Sequence, residues 1–193
     1  MTETRLGLFR HGQTDWNIDF RLQGVTDIPL NETGISQARD AAKFIVAADW
    51  DILLTSPLSR AKDTAAIVAS AAGLQTAIEE PLLLERAFGE AEGLTHEEWK
   101  ERYANLSVLP GGESLEELEI RAKLLLASFA ARYAGQRVLA VSHGALIRKL
   151  IRIVSDREFP REGERFGNAS LSTLIHDGSG WRIESFNPAT LGS

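Results

Sequence analysis

Two stretches organise this chain: Arg5–Gly12, which reads RLGLFRHG, and Arg137–Gly144, which reads RVLAVSHG. Each is a short apolar run of buried-strand type that stops at a His-Gly pair, with His11 in the first and His143 in the second. In open α/β sheets, ligands bind at the carboxyl ends of the strands. We therefore expect the two imidazoles to face each other across one pocket at that edge.

Cationic side chains accompany both histidines. Arg10 directly precedes His11, and a further strand ends at Ser56-Pro57 with Arg60 just beyond it. The planar guanidinium fork matches the oxygens of a phosphate group. Either His-Gly pair alone is more simply interpreted as a packed or solvated histidine, but the combination favours a phosphate-binding pocket.

The composition excludes several classes of protein. The 193 residues, 44% hydrophobic and 25% charged, predict one domain spanning residues 1–193. A net charge of -6 without any Lys/Arg run argues against a nucleic-acid partner, so local charge must hold an anionic substrate. The absence of cysteine excludes disulfides and thiolate metal sites and favours a cytoplasmic location. The N-terminus predicts neither a signal peptide nor a membrane span; the oligomeric state stays open, with a homodimer as one option.

Strands and helices alternate along the chain, which predicts an α/β fold. The loop signals fall after the first strand, from Gly12 to Leu30, and in the glycine-punctuated segment that follows Glu85. The predicted elements with their boundary residues are a helix over 34–48 capped by Thr33, a helix from Ser56-Pro57 to Ala72 ended by Gly73, a helix opened by the capping box Ser114/Glu117 that buries Leu115 and reaches Tyr133, a helix over 145–154, and a hairpin of strands 170–175 and 181–186.

Hydrolysis of a phosphomonoester needs a nucleophile, charge compensation and a proton for the leaving alkoxide. His11 suits the first role, because a neutral imidazole is a good nucleophile near its ordinary pKa of about 6.5. Three groups suit the second role, and a neutral donor can assist them: Arg10, Arg60 and His143, with Asn17.

Glu85 suits the third role. Its neighbours Leu84 and Phe88 predict partial burial that keeps the carboxyl protonated, so that it donates a proton first and then serves as base for water. A solvated ion pair of Glu85 with Arg86 is the alternative interpretation. Glu113 is expected to support the Ser114 cap or to hold an arginine.

The chain resembles the histidine phosphatase superfamily in its phosphoglycerate-mutase-like branch. The resemblance covers nearly the whole chain, and it depends on the order and spacing of several short motifs rather than on any one. These motifs are Arg10-His11-Gly12 with Asn17, Arg21-Leu22-Gln23-Gly24, Ser56-Pro57-Leu58 with Arg60 and Thr64-Ala65, Glu85 with Phe88-Gly89 and Glu92-Gly93, Gly111-Gly112-Glu113-Ser114, and Val141-Ser142-His143-Gly144.

The resemblance implies a three-layer α/β/α domain with a mostly parallel sheet, a phosphohistidine intermediate, and neither metal nor other cofactor. It places Gln23, Gly24 and Gly144 among the phosphate-binding residues and marks 168–170 as a loop near the site. Gln23 is equally well interpreted as a plain loop residue. His96 and His176 are not expected to take part in chemistry, and Trp16 is the one tryptophan expected at the site.

The substrate class that follows is a small phosphate ester, and which ester cannot be read from the sequence. A metal hydrolase is the nearest competing enzyme, but no histidine pair has helical ligand spacing, and the arginines would repel a dication. A catalytically silent phosphate-binding module is the alternative outside enzymes. A cofactor-dependent phosphoglycerate mutase needs a closed basic lid, whereas the segment after Glu85 is short and acidic, with Glu90, Glu92, Glu97, Glu98 and Glu101.

Overall fold

A computed structural model of the chain describes residues 3–186 and 189–190. In this part of the chain, helices and strands alternate as predicted. The strands are β1 (Thr4–Arg10), β2 (Ile52–Thr55), β3 (Ile78–Glu79), β4 (Arg137–Ser142), β5 (Glu164–Arg165), β6 (Leu171–His176), β7 (Trp181–Ser185) and β8 (Ala189–Thr190). The helices are α1 (Asp15–Ile18), α2 (Glu32–Ala42), α3 (Ser59–Ala72), α4 (His96–Arg102), α5 (Leu115–Arg132) and α6 (Gly144–Val154).

Six strands form the central sheet in the order β3-β2-β4-β1-β6-β7. β3, β2, β4 and β1 are parallel to one another, while β6 and β7 add an antiparallel hairpin at one side. β5 and β8 pair separately in a small antiparallel sheet. The predicted mostly parallel sheet and the predicted hairpin are both confirmed.

Helices cover both faces of the sheet, which gives the predicted three layers. β4 shows why: Val138 and Ala140 point into the core shared with α5 and α6, whereas Leu139 and Val141 point into the core shared with α2 and α3. A strand buried on both faces needs an unbroken apolar run, because successive side chains alternate between the faces. The apolar runs of β1 and β4 are therefore the central strands.

The register of β1 against β4 places the two histidines. Arg10 lies opposite Ser142, and the main-chain N–H of His11 donates to the Ser142 carbonyl at 3.0 Å. His11 and His143 thus leave neighbouring parallel strands at the same carboxyl edge, as the sequence predicts.

Two predicted helix starts are wrong. α2 begins at Glu32, because Asn31 rather than Thr33 supplies the cap, its side chain accepting from the Gly34 N–H at 2.8 Å. It also ends at Ala42 instead of residue 48, and a short 3₁₀ turn follows over Ala47–Asp49.

α3 begins at Ser59, and Ser56 does not cap it in the predicted manner. The Ser56 hydroxyl instead lies 2.7 Å from Nε2 of His143, so a tertiary hydrogen bond takes the side chain that local sequence assigns to the cap. Gly73 ends the helix in the left-handed region at φ 73°, as predicted.

The capping box of Ser114 and Glu117 at the start of α5 is confirmed. Leu115, however, is 40% exposed and not part of the core, because it stands at the first helical position on the solvent side. Among the described residues, no helix combines the length and apolar character needed to cross a bilayer.

Candidate active site

His11 and His143 lie side by side beneath the carboxyl edge of the sheet. Their ring centroids are 5.1 Å apart with the planes tilted by 55°, and both side chains are buried. Nδ1 of His11 lies 2.7 Å from the Gly12 carbonyl, which can only accept, so Nδ1 carries the proton. The lone pair of Nε2 is therefore left for chemistry.

Burial lowers the pKa of His11 well below its ordinary value, and the charges of Arg10 and Arg60 lower it further. The pKa of His143 is lowered by burial in the same way, then by His11, Arg60 and Arg10. Desolvation disfavours the charged form of an imidazole, and nearby cations act in the same direction. Both rings are consequently neutral at pH 7.

Arg10 and Arg60 reach the site from β1 and α3. Arg10 Nη1 donates to the Phe166 carbonyl, and burial lowers the pKa of its guanidinium to about 10. Arg60 is fully buried and donates from Nη2 to the Gly24 carbonyl at 2.7 Å and from Nη1 to the Thr26 carbonyl at 2.9 Å. Neutral carbonyls orient both cations without cancelling their charge.

Arg60 and Glu92 together hold the loop that contains Gln23 and Gly24. Glu92 accepts from the main-chain N–H groups of Val25 at 3.0 Å and Thr26 at 2.9 Å. Gly24 has φ 55°, and a Cβ there would lie 2.0 Å from Oε1 of Glu92. Gly24 thus supports Arg60 through its carbonyl. Glu92 points inward and is not part of an acidic cover, which corrects the prediction.

Four buried polar side-chain atoms lack a hydrogen-bond partner among the described residues: Nε of Arg10, Oε1 of Gln23, Nε of Arg60 and Nδ1 of His143. All four belong to residues that the sequence nominates. A buried polar group without a partner carries a desolvation penalty of about 1–3 kcal/mol, so such groups are rare and call for an explanation. Three of these residues lie together, because Arg10 and Arg60 both act on the pKa of His143. Their unpartnered atoms indicate a site for a polar ligand.

Glu85 lies at the N-terminus of α6, directly beyond His143. Its carboxylate accepts from the N–H groups of Ala145 at 3.0 Å, Leu146 at 3.1 Å and Arg86 at 2.9 Å. The half-buried carboxyl is therefore surrounded by main-chain donors rather than by the apolar neighbours that the sequence suggests.

The backbone around Glu85 is anchored by two arginines. Arg121 on α5 donates to the carbonyls of Leu82 at 3.1 Å and Leu84 at 2.8 Å, while Glu113 holds the same guanidinium by two contacts of 2.7 Å. Glu113 thus holds an arginine, one of the two predicted roles.

Arg86 is buried and donates to the Leu106 and Glu113 carbonyls. It forms no ion pair with Glu85 among the described contacts, so the alternative of a solvated Glu85–Arg86 pair is wrong. The segment before Glu85 and the loop after α4 are instead tied to one another through these two arginines.

Asn17 and Asn168 meet beside His11. Asn168 Nδ2 donates to the His11 carbonyl and to Oδ1 of Asn17, both at 3.1 Å. Oδ1 of Asn17 also accepts from the Thr14 N–H at 3.1 Å, which leaves the Asn17 Nδ2 as a donor toward the pocket. The prediction that the loop 168–170 lies near the site is confirmed.

A cavity of about 660 Å³ adjoins these groups and is lined by Arg10, Asn17, Gly144 and Asn168. The other predicted site residues are not part of its lining: His11, Gln23, Gly24, Arg60, Glu85 and His143. A Cβ at Gly144 would lie at an ordinary van der Waals distance of 3.4 Å from Nε of Arg10. The lining also includes five side chains that carry charge or aromatic rings: Arg21, His96, Trp99, Arg148 and Arg165. Arg21 belongs to the predicted motif that contains Gln23, whereas the other four are not predicted at the site.

Of the two unpredicted arginines, Arg148 has a sequence signal, since it follows His143 by five residues on the helix that begins directly after that histidine. Arg165 reaches the cavity from β5, and no local pattern indicates this. Among the described residues, no group of three or more His, Asp or Glu side chains is placed to hold a metal ion.

Buried neutral imidazoles and carbonyl-oriented guanidiniums at the edge of an α/β sheet are suited to binding a phosphoryl group. The model of the histidine phosphatase superfamily (branch 1) matches residues 6–189 of this chain. The chain therefore belongs to the histidine phosphatase superfamily, and the predicted family and enzyme class are confirmed.

Similar proteins include both phosphatases and mutase-like enzymes. An uncharacterized phosphatase, PhoE, from Bacillus subtilis is 41% identical over 95% of this chain and 94% of its own length. A probable phosphoglycerate mutase, GpmB, from Photorhabdus laumondii is 35% identical, over 96% of this chain and 91% of its own. A mycobacterial glucosyl-3-phosphoglycerate phosphatase superposes with a TM-score of 0.82 at 29% identity, covering 97% of this chain and 100% of its own.

The lowered pKa values of His11 and His143 make stability depend on pH. In the unfolded chain both histidines titrate near pH 6.5, so as the pH falls the unfolded state takes up protons first. The contribution of the two histidines to the free energy of unfolding should be fully present above about pH 7. Below that pH the free energy of unfolding should decline by up to about 1.4 kcal/mol per pH unit for each histidine.

Denaturant unfolding between pH 7.5 and 5.5 measures this slope. The double variant His11→Gln/His143→Gln should show a shallower decline than the parent protein. Equal slopes would contradict the buried, neutral state of the two imidazoles.

Proposed function

We propose that this protein is a metal-independent phosphatase of small phosphomonoesters that acts through a phosphohistidine on His11. The observation that carries the proposal is that Arg10, Arg60 and His143 each keep a buried polar atom without a partner among the described residues, beside an imidazole whose Nε2 lone pair is available. A phosphoryl group supplies oxygens that hydrogen-bond to the donors in this set.

In the first step, Nε2 of His11 attacks phosphorus, the N–P bond forms and the ester P–O bond breaks. Glu85 transfers a proton to the departing alkoxide, which leaves as the alcohol. The main-chain N–H groups of Ala145 and Leu146 hold the Glu85 carboxyl at the start of α6, directly after His143.

Charge on the equatorial phosphoryl oxygens is met by Arg10, Arg60, His143 and Asn17. The first two are cations held by carbonyl oxygens, so they need not reorganise as charge develops. We assign Gln23 to the same oxygens through its amide N–H groups. Gly24 contributes through its carbonyl, which accepts from Arg60, and Gly144 lines the cavity beside Arg10.

In the second step, water attacks the phosphohistidine. Glu85, now a carboxylate, accepts a proton from this water as the N–P bond breaks. Inorganic phosphate leaves, and His11 returns to the neutral tautomer with Nδ1 bound to Gly12. No metal enters either step, because Arg10 and Arg60 already supply the positive charge and would repel a divalent cation.

Water is the expected acceptor because the cavity is open. Phe20 at its mouth is 66% exposed, and α4, the helix above the cavity, is only seven residues long. A mutase must keep water from its phosphoenzyme until the intermediate is rephosphorylated. A second candidate function, that of a phosphoglycerate mutase, is nonetheless supported by the basic residues that line the cavity. The two functions therefore need a direct test.

The same proposal includes one domain over residues 1–193, a cytoplasmic location and no nucleic-acid partner. These rest on composition alone: the net charge of -6 and the lack of cysteine.

The nucleophile is tested by His11→Ala. A ³²P-labelled aryl phosphate, quenched in alkali, should leave acid-labile label on the parent protein and none on the variant. The control His176→Ala, in the hairpin strand β6, should label like the parent. Label retained by His11→Ala would exclude this residue as nucleophile, and loss of turnover with a chelator would favour a metal enzyme.

Glu85→Gln tests the proton donor in single-turnover experiments that isolate phosphoenzyme formation. The rate with an alkyl phosphate should fall by about 10²–10⁴-fold, since an alkoxide needs the proton. 4-Nitrophenyl phosphate should lose far less, because a phenolate departs without it. The exposed control Glu90→Gln should change neither rate; equal losses on both substrates would mean that Glu85 only positions the ester.

Phosphatase and mutase activities are compared directly with 3-phosphoglycerate and a catalytic trace of 2,3-bisphosphoglycerate. Phosphate release should be well above formation of the 2-isomer, because water reaches the open pocket. Isomer forming much faster than phosphate would establish the mutase instead.

A further inference from the structure

The cavity that Arg10 and Gly144 line differs in charge from the chain as a whole. The chain carries a net charge of -6, yet the lining of the cavity holds four arginines and no aspartate or glutamate. The lining also includes the aromatic side chains of Trp16, Phe20 and Trp99, the start of α6 and residues 165–168. The arginines are Arg10, Arg21, Arg148 and Arg165.

Two of these arginines are already accounted for. Arg10 belongs to the phosphoryl site. Arg21 lies 3.6 Å from Asp19 and 3.8 Å from Glu98, and its Nη1 donates to the Gly93 carbonyl at 2.7 Å. Neither is available for a second anion.

Arg148 and Arg165 differ from Arg21 in having no acidic side chain as a partner. Within residues 3–186, no Asp or Glu side chain lies within salt-bridge distance of either guanidinium, nor of Arg152 and Arg161, which share an adjoining depression with them. The nearby carboxylate of Glu164 faces the Arg161 N–H at 2.6 Å instead.

Arg148 is also held in place. Its Nη2 donates to the Glu164 carbonyl, its guanidinium lies 5.8 Å from the centre of the Phe166 ring, and the side chain is half-buried. Burial lowers the pKa of Arg148, the charges of Arg152 and Arg165 lower it further, and the charge of Glu164 acts in the opposite direction with a smaller effect. Like charges held together in a partly desolvated place repel, and an anion between them removes that cost.

We propose that Arg148 and Arg165 form a second anion subsite, so that the preferred substrates are phosphomonoesters carrying a further carboxylate or phosphate. This inference rests on the proposed phosphatase function and specifies its substrate class. Arg10 donates to the Phe166 carbonyl, the Arg148 guanidinium lies over the Phe166 ring, and Arg165 directly precedes Phe166. The two subsites therefore adjoin in the one cavity that these three arginines line. Guanidinium forks suit either anion.

Matched esters test the subsite. 3-Phosphoglycerate and glycerol 3-phosphate differ only by a carboxylate in place of a hydroxymethyl group, and propane-1,3-diol bisphosphate presents a second phosphate. We expect kcat/KM to be higher for the two doubly anionic esters than for glycerol 3-phosphate. The doubly anionic ester that exceeds glycerol 3-phosphate by the larger factor identifies the group, carboxylate or phosphate, that the subsite binds.

Arg165→Gln should lower that preference by about tenfold, the change that corresponds to one lost charge-assisted contact of about 1.4 kcal/mol. Arg165→Lys should retain part of it, and added salt should reduce it in the parent. Arg39→Gln, an exposed arginine on α2 with the same change in net charge, should keep the parent's ratio. An unchanged ratio in Arg165→Gln, or an equal loss in Arg39→Gln, would overturn the proposal.

Failure of the phosphatase function has a separate signature, since no ester, 4-nitrophenyl phosphate included, would then release phosphate. In that case the ratio of Kd values for 3-phosphoglycerate and glycerol 3-phosphate, measured by calorimetry on the same variants, decides the subsite alone. A ratio that falls in Arg165→Gln supports it, and one that matches the parent rejects it.

Discussion

β1 and β4 pair in parallel with Arg10 opposite Ser142, and the His11 N–H donates to the Ser142 carbonyl. A slip of one residue would turn the side chains of either strand to the opposite face. Because both faces of these strands are packed, that slip would disrupt both cores at once. The same register sets the 5.1 Å between the rings of His11 and His143, so the packing of the cores also determines the catalytic geometry.

Burying positive charge in this edge costs stability, and the fold offsets only part of that cost. The guanidiniums of Arg10 and Arg60 bind the carbonyls of Phe166, Gly24 and Thr26, which orient the charge without neutralising it. A carboxylate partner would stabilise each arginine more, but it would compete with an anionic substrate. The site is therefore preorganised for a phosphoryl group, and this arrangement lowers the stability of the ligand-free protein.

Two charged side chains, Glu92 and Arg121, hold segments of the site that have little regular structure. Glu92 binds two main-chain N–H groups of the loop after Gln23, and Arg121 binds the carbonyls before Glu85. Segments with little regular structure thereby gain fixed positions through charge-assisted hydrogen bonds, which are stronger than neutral ones. Both contacts join parts of the chain distant in sequence, and so neither is evident from the local pattern.

The α/β class and the order of the elements follow from the sequence, because apolar runs, caps and glycine stops report on short-range interactions. The same local patterns led to His11, His143 and Glu85 as the residues proposed for the site. Where two partners compete for one polar group, only the tertiary structure shows which of them it binds. Ser56 binds His143 instead of capping α3, and Arg165 joins the cavity through a strand pairing of β5. Such choices depend on burial and charge summed over contacts between distant segments, which no local pattern contains.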